Sequence, residues 1–475
     1  MRFLRVLFLT MLLAVPAVSG RAHAEPPPPV IPGLPALPDL SGLPPLIDAS
    51  GSVLPGLQQW IDAVIPAPPV VAAAPPNSPQ LEVAGVQPEL AALRAAVLPS
   101  PVRDPIFDEW PADLDTFTPG QLIEVRDVGA TAGALVLMPF DRALLLKFRT
   151  TDVYGRPSFA TATLVTPLGA WPGPGGRPVL VNNLPINGLG RDCTPGYTMA
   201  HGWDSDISVT DYIPPAIQLA LLRGYAVLVP DHEGPRMAYA EPVVAGHAIL
   251  DSIRAVRGLL PDDFGDSGFG LIGYSGGAIA THGAVKVMPD YAPELADVVV
   301  GAVVGGVPAD YEILSRSMNA NLASGVFMGA VLGIARERTE ILGRMNNLAQ
   351  WIATSPVKDL CADVFGAAGL LLLPIDVAAN FPDPLNSEFA AQIYRETRME
   401  GIKSPVPLYI YNGEQEWWIP AEGARNLFRE QCALGVSAVY RSVLGEHVIA
   451  GGLGFPEAIL WMDERLRGVP APNEC

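Results

Sequence analysis

Five residues, Gly273-Tyr274-Ser275-Gly276-Gly277, stand between an apolar run, Phe269–Gly273, and a run of small residues, Ala278–Val287. The first run reads as a buried strand and the second as a helix. A chain that passes from strand to helix so abruptly must turn sharply. A Cβ on either side of Ser275 would clash in that turn, and glycine supplies none. Such a turn lifts the Ser275 hydroxyl above a sheet edge. It also sets the hydroxyl at a helix N-terminus, where developing negative charge is stabilised. The motif alone is weak; its strand-to-helix context separates a nucleophile turn from an ordinary glycine-rich bend.

The surrounding chain supplies that context. Apolar strand patterns recur at Phe159–Thr166, Pro178–Asn182, Tyr225–Pro230, Val298–Val304, Val406–Tyr411 and Val436–Val443. Helical periodicity falls between them at Ile217–Arg223 and Gly246–Leu259. This alternation predicts a mostly parallel sheet covered by helices on both faces, the α/β-hydrolase fold. From about residue 305 to 404 the alternation lapses. That stretch reads as helices at Tyr311–Met318, Gly325–Arg336, Arg338–Ala353 and Ser387–Glu400, a helical cap or lid inserted between strands.

A serine hydroxyl is a poor nucleophile without an adjacent base, usually histidine. The chain holds six: His23, His201, His232, His247, His282 and His447. In this fold the order is serine, acid, histidine. His282 lies in the helix beyond the turn, and only His447 comes late enough. It follows a strand, in a loop that can carry it over the sheet. The acid should follow the strand Val406–Tyr411, in Asn412-Gly413-Glu414-Gln415-Glu416. Two carboxylates qualify. A sharp turn at Gly413 and a short loop suit Glu416, and Glu414 competes with it.

The N-terminus carries an address. Arg2 and Arg5 precede an apolar run, Val6–Val18, and then Ala22-His23-Ala24. This predicts a secretory signal peptide, residues 1–24, cut after Ala24. Residues 25–101 are crowded with proline and read as a linker or a packed pro-segment, with short helices at Leu57–Ile65 and Leu90–Val97. The hydrolase domain then covers residues 102–475. A net charge of −19 disfavours nucleic-acid partners and adhesion to anionic membranes. The four cysteines, Cys193, Cys361, Cys432 and Cys475, form no C-x-x-C pair, so no metal site is expected. They allow three disulfide pairings, and spacing chooses none of them.

Several segments together resemble the secretory lipase family, from about Asp104 to Cys475. They are Tyr225-Ala226-Val227-Leu228-Val229-Pro230-Asp231-His232-Glu233-Gly234-Pro235, the helix Gly246-His247-Ala248-Ile249-Leu250-Asp251-Ser252-Ile253-Arg254-Ala255, the Gly-Tyr-Ser-Gly-Gly turn, and the loop from Gly413 to Pro420. The resemblance implies a catalytic triad of Ser275, Glu416 and His447. The family's acid is normally aspartate, so Glu416 is a departure. It also implies disulfides Cys193–Cys361 and Cys432–Cys475. The implied oxyanion donors are the Gly276 backbone N–H and the residue at 187, where the family carries aspartate and this chain has Asn187. A carboxyl donates only when protonated, whereas an amide donates at any ordinary pH.

The implied activity is hydrolysis of lipid esters through an acyl-enzyme, without metal or cofactor, in an exported or cell-envelope protein. The substrate is a lipid or small ester, with transient contact at a lipid interface. Oligomeric state is not legible. Short-chain carboxylesterase or acyltransferase activity would use the same residues. A non-catalytic binding protein on this scaffold would predict decay of the triad. A dinucleotide site is not favoured, since Gly270, Gly273 and Gly276 recur every third residue rather than as G-x-G-x-x-G. Gly325–Ala335 and Phe365–Leu373 are apolar enough to line a cap, and Trp417 and Trp418 to line an acyl pocket.

Overall fold

Nine strands form a single twisted sheet in a computed structural model that describes residues 56–70, 86–205, 207–208, 211–212 and 214–475. The expected signal peptide lies outside the described residues. In chain order the strands are β1 Leu122–Asp127, β2 Arg142–Thr151, β3 Pro157–Thr166, β4 Val179–Asn183, β5 Ala226–Pro230, β6 Phe269–Tyr274, β7 Val299–Gly305, β8 Leu408–Gly413 and β9 Ala438–Val443. Across the sheet they run β1-β2-β3-β5-β4-β6-β7-β8-β9. β1, β2, β3 and β5 pair antiparallel, and every pair from β5 through β4 to β9 is parallel.

β4, β5, β6 and β8 are buried at every residue, as expected where helices cover both faces. On one face Ile249 and Ile253 of the helix Pro242–Leu259, with Ala280 and Ala284 of Gly276–Tyr291, pack on Leu228 and Leu271. On the other, Phe455, Trp461 and Met462 of the helix His447–Leu466 pack on Val303, Tyr409 and Val439. Full burial of such side chains stabilises the fold by about 1.5–3 kcal/mol each.

The sequence pattern missed β1 and β2. β1 carries exposed charged residues, and β2 holds Lys147, whose ammonium is buried against the carbonyls of Pro105 and Glu109. The expected helix Arg338–Ala353 is broken. The helix Ser324–Glu337 ends at Arg338, a 3-10 turn spans Thr339–Arg344, and Asn346 caps a new helix, Asn347–Thr354, by accepting from Ala349 N–H. The region between β7 and β8 is otherwise built from helices and 3-10 turns, with one β-bridge between Met345 and Ala379.

Parts of the proline-rich segment pack on this helical region. Asn347 and Trp351 donate to Asp62, Ile65 and Pro66, and Val97 joins Leu332 and Leu342 in one apolar cluster. Among the described residues no helix is long and apolar enough to cross a membrane.

Candidate active site

All parallel strands present their C-terminal ends at one edge of the sheet, where ligands of open α/β sheets bind. The segments leaving that edge carry the candidate groups: Asn187 after β4, Ser275 after β6, Glu416 after β8 and His447 after β9.

Ser275 is the N-cap of the helix Gly276–Tyr291 and is strained, with φ 55° and ψ −120°. Its N–H donates to Gly305 O across the strand end, and its carbonyl accepts from Ala278 and Ile279. These bonds hold a conformation that an L-residue rarely adopts. The tightness of the turn is direct: a Cβ on Gly273 would lie 2.1 Å from Gly277 O.

His447 is not in a loop as expected. It is the first residue of the helix His447–Leu466, capped by the Glu446 carboxylate, which accepts from Val448 and Ile449 N–H. Its ring Nδ1 lies 2.7 Å from Glu416 Oε1, and the Glu416 side chain is fully buried. A carboxylate only accepts, so Nδ1 carries the hydrogen and Nε2 has the free lone pair. Nε2 is buried and has no hydrogen-bond partner among the described residues. Tyr274 donates its hydroxyl to the His447 carbonyl, and Trp418 meets the ring edge-on at 4.6 Å. Glu414 is exposed and accepts from Ser442 instead, while its N–H continues the ladder to Val443. The structure therefore brings Glu416, not Glu414, to the imidazole.

Asn187 takes a left-handed turn, with φ 49°, and its side chain lies against Gly276. A Cβ on Gly276 would fall 1.7 Å from Asn187 Oδ1. The Asn187 amide and the first helical N–H, which has no intrahelical acceptor, thus share one corner beside Ser275.

A family model for the secretory lipases matches residues 205–474. The chain belongs to the secretory lipase family. Secretory lipases are carboxylic ester hydrolases. A trichothecene C-3 esterase of Fusarium sporotrichioides is 30% identical, over 77% of this chain and 83% of that protein. A Mycobacterium tuberculosis protein named as a probable inactive lipase is 29% identical, over 78% and 83%. The crystal structure of Candida antarctica lipase A in its closed state superposes with a TM-score of 0.69 at 26% identity, covering 80% of this chain and 89% of that one. The α/β-hydrolase fold read from the sequence is thereby established.

The cysteines pair as secretory lipase membership implies. Cys193–Cys361 joins the segment after Asn187 to the helical region, and Cys432–Cys475 ties down the last residue. Asp192 lies close to the first pair, but both sulfurs there are consumed in the disulfide. Of the other described histidines, His201 meets Asp104, His232 Nε2 lies 2.8 Å from Leu184 O and His247 Nδ1 lies 3.1 Å from Thr151 O, while burial pushes His282 down to about 3. Sequence reasoning overlooked Glu446 as a helix cap and Tyr274 as a brace. The immediate neighbourhood of the histidine and of the serine was the available signal.

A cavity of about 230 Å³ opens within the helical region, lined by Phe327, Val331, Met345, Ala353, Ile375 and Ile393 among others. Trp418, edge-on to the imidazole, packs against the apolar cluster that contains Phe327 and Ile375, two residues of the cavity wall. Trp417 is half exposed and stacks on Trp418.

Proposed function

We propose that this chain is an exported serine hydrolase that cleaves lipid esters through an acyl-enzyme, with Ser275, His447 and Glu416 as its triad. The observation that carries the reading is the Glu416–His447 pair, which leaves Nε2 without a hydrogen-bond partner among the described residues, on a ring packed against Tyr274, the residue before Ser275. Ser275 Oγ attacks the ester carbonyl carbon while its proton passes to His447 Nε2. Glu416 stabilises the resulting imidazolium. The oxyanion accepts from Gly276 N–H and the Asn187 side-chain amide; loss of one such donor costs roughly 10²–10³ in kcat. His447 then protonates the departing alcohol. Water, deprotonated by His447, releases the acid and restores the serine.

The apolar cavity supports a fatty acyl chain as the acid portion of the substrate. Leu370, Leu371 and Leu372 of the cap, with Leu370 76% exposed, support transient contact with a lipid surface. Membership of a secretory family and two disulfides support export.

Hydrolysis of p-nitrophenyl esters from short to long chain, by wild type and Ser275→Ala, tests the reading. Long-chain preference in wild type with a dead mutant supports it, and short-chain preference moves the assignment to carboxylesterase. The relative named as inactive motivates a second reading, a binding protein on the same scaffold. A folded wild type without activity on any ester would favour that reading.

A further inference from the structure

Three consecutive ionisable residues, Asp231, His232 and Glu233, follow β5 and take no part in the chemistry above, yet each is at most 3% exposed. Burying such groups is costly unless each is committed to partners. Asp231 accepts from Gly196 N–H and the Thr161 hydroxyl. His232 Nε2 lies 2.8 Å from Leu184 O. Burial pushes this histidine down to about 4, so it is neutral and Nε2 is the donor. Glu233 Oε2 accepts from Gly188 N–H at 3.3 Å, and its carboxyl also takes the N–H of Asn187.

These contacts bracket one turn. His232 holds the chain three residues before Asn187, and Glu233 holds it at Asn187 and just after. With both backbone N–H groups turned toward Glu233, the donor left to Asn187 is its side-chain amide. That amide group lies against Gly276 with Oδ1 nearer and Nδ2 farther, and rotation about its Cβ–Cγ bond exchanges the two so that the N–H faces the corner. The left-handed φ of Asn187 is one that asparagine adopts more readily than most residues, and the bonds to His232 and Glu233 lie on either side of it. The far side of the turn is held from the cap. The buried guanidinium of Arg336 donates to Leu189 O at 2.8 Å, and also to Val97, Arg236, Met237 and Lys358 carbonyls.

We propose that Glu233, with His232, is a positioning residue for the oxyanion turn, acting through Asn187 rather than on the substrate. The assignment rests on the serine-hydrolase reading above. It explains why a buried carboxyl and imidazole sit in sequence at the end of β5, the strand beside β4 in the sheet.

A double-mutant cycle tests it. Glu233→Ala should lower kcat about 30-fold toward a soluble p-nitrophenyl ester, with KM within about twofold, because only the transition state uses the donor. In an Asn187→Ala background the same change should add less than about twofold. If instead the full loss recurs in that background, or if Glu233→Ala leaves kcat intact, the proposal is overturned. Glu233→Leu removes both acceptor oxygens, keeps most of the bulk and carries the same cycle should the alanine variant fail to fold. Ser275→Ala serves as the separate control. Activity surviving in it would overturn the serine reading itself, whereas a dead control with an additive cycle overturns only the role of Glu233.

Discussion

Glu416 Oε1 lies 2.7 Å from His447 Nδ1, with the glutamate side chain fully buried and the histidine the first residue of a helix. The longer side chain therefore reaches the imidazole from a loop in which the family normally places aspartate. Glu416→Gln should keep the shape, lose the acceptor that fixes the tautomer, and lower kcat by roughly 10³–10⁴. Glu414→Gln should stay within about twofold, since its carboxylate bonds Ser442 at the surface. Steady-state kinetics on both variants checks this, and the reverse ranking would transfer the acid role to Glu414.

Asn187→Asp should give the enzyme a new alkaline loss. An aspartic acid at 187 donates to the oxyanion only while protonated. As pH rises through its pKa the donor disappears and a negative charge faces the oxyanion. The kcat profile of the variant should fall at a pH where wild type is still rising or flat. An unchanged profile would remove the 187 side chain from the oxyanion site.

Filling the cap cavity should shorten the accepted acyl chain. Ala353 is buried in its wall, and Ala353→Phe would occupy space that a long chain needs. The expected result is about a tenfold loss of kcat/KM for long-chain esters with acetate ester hydrolysis unchanged. Equal losses along the series would place the acyl chain elsewhere.

The stability contributed by the buried neutral histidines should be lost on mild acidification. Burial pushes His232 and His247 down to about 4 and His282 to about 3, from 6.5 in the unfolded chain. Between those values the unfolded chain binds protons that the native protein does not. The contribution of keeping these rings neutral is complete above pH 6.5 and is lost as pH falls toward 4. Asp231, pushed up to about 7, and Asp211, pushed up to about 6, act in the opposite sense, as do Glu233, Glu241, Asp251 and Asp376, whose carboxyls burial also pushes up. The histidine contribution is therefore read as a difference: Tm at pH 4.5 relative to pH 7 should be higher in His282→Asn than in wild type. Calorimetry on both proteins across that range checks it, and parallel Tm profiles would contradict it.

Removing Cys193–Cys361 should cost more stability than removing Cys432–Cys475. The first spans 168 residues and the second 43, and loop entropy alone makes the difference about 1 kcal/mol. Thermal unfolding of the two double-serine variants measures it.

The serine turn and the late histidine were legible because both rest on short-range pattern and on a fixed order along the chain. The acid was not. Residues 414 and 416 have the same parity along an extended chain, so strand periodicity cannot choose between them. The choice falls to the bend: Glu414 N–H is still on the ladder to Val443, and the chain has left it by Glu416. The last helix was hidden as well. Gly451, Gly452, Gly454 and Pro456 all disfavour a helix locally, yet burial of Phe455, Trp461 and Met462 on the sheet imposes one. The cap break at Arg338 follows from its guanidinium being drawn to Glu241, a residue nearly a hundred positions away.

Local chemistry in the sequence alone was enough to determine the fold class and to single out the glycine-flanked Ser275 turn and His447 as candidates, because glycine spacing, apolar period and histidine scarcity each act over a few residues or by elimination. Tertiary structure alone decided which carboxylate meets His447, how Asn187 is turned toward Gly276, and that His232 and Glu233 hold that turn. Those relationships join strand ends far apart in the chain, and only the parallel register of the sheet brings them to one edge.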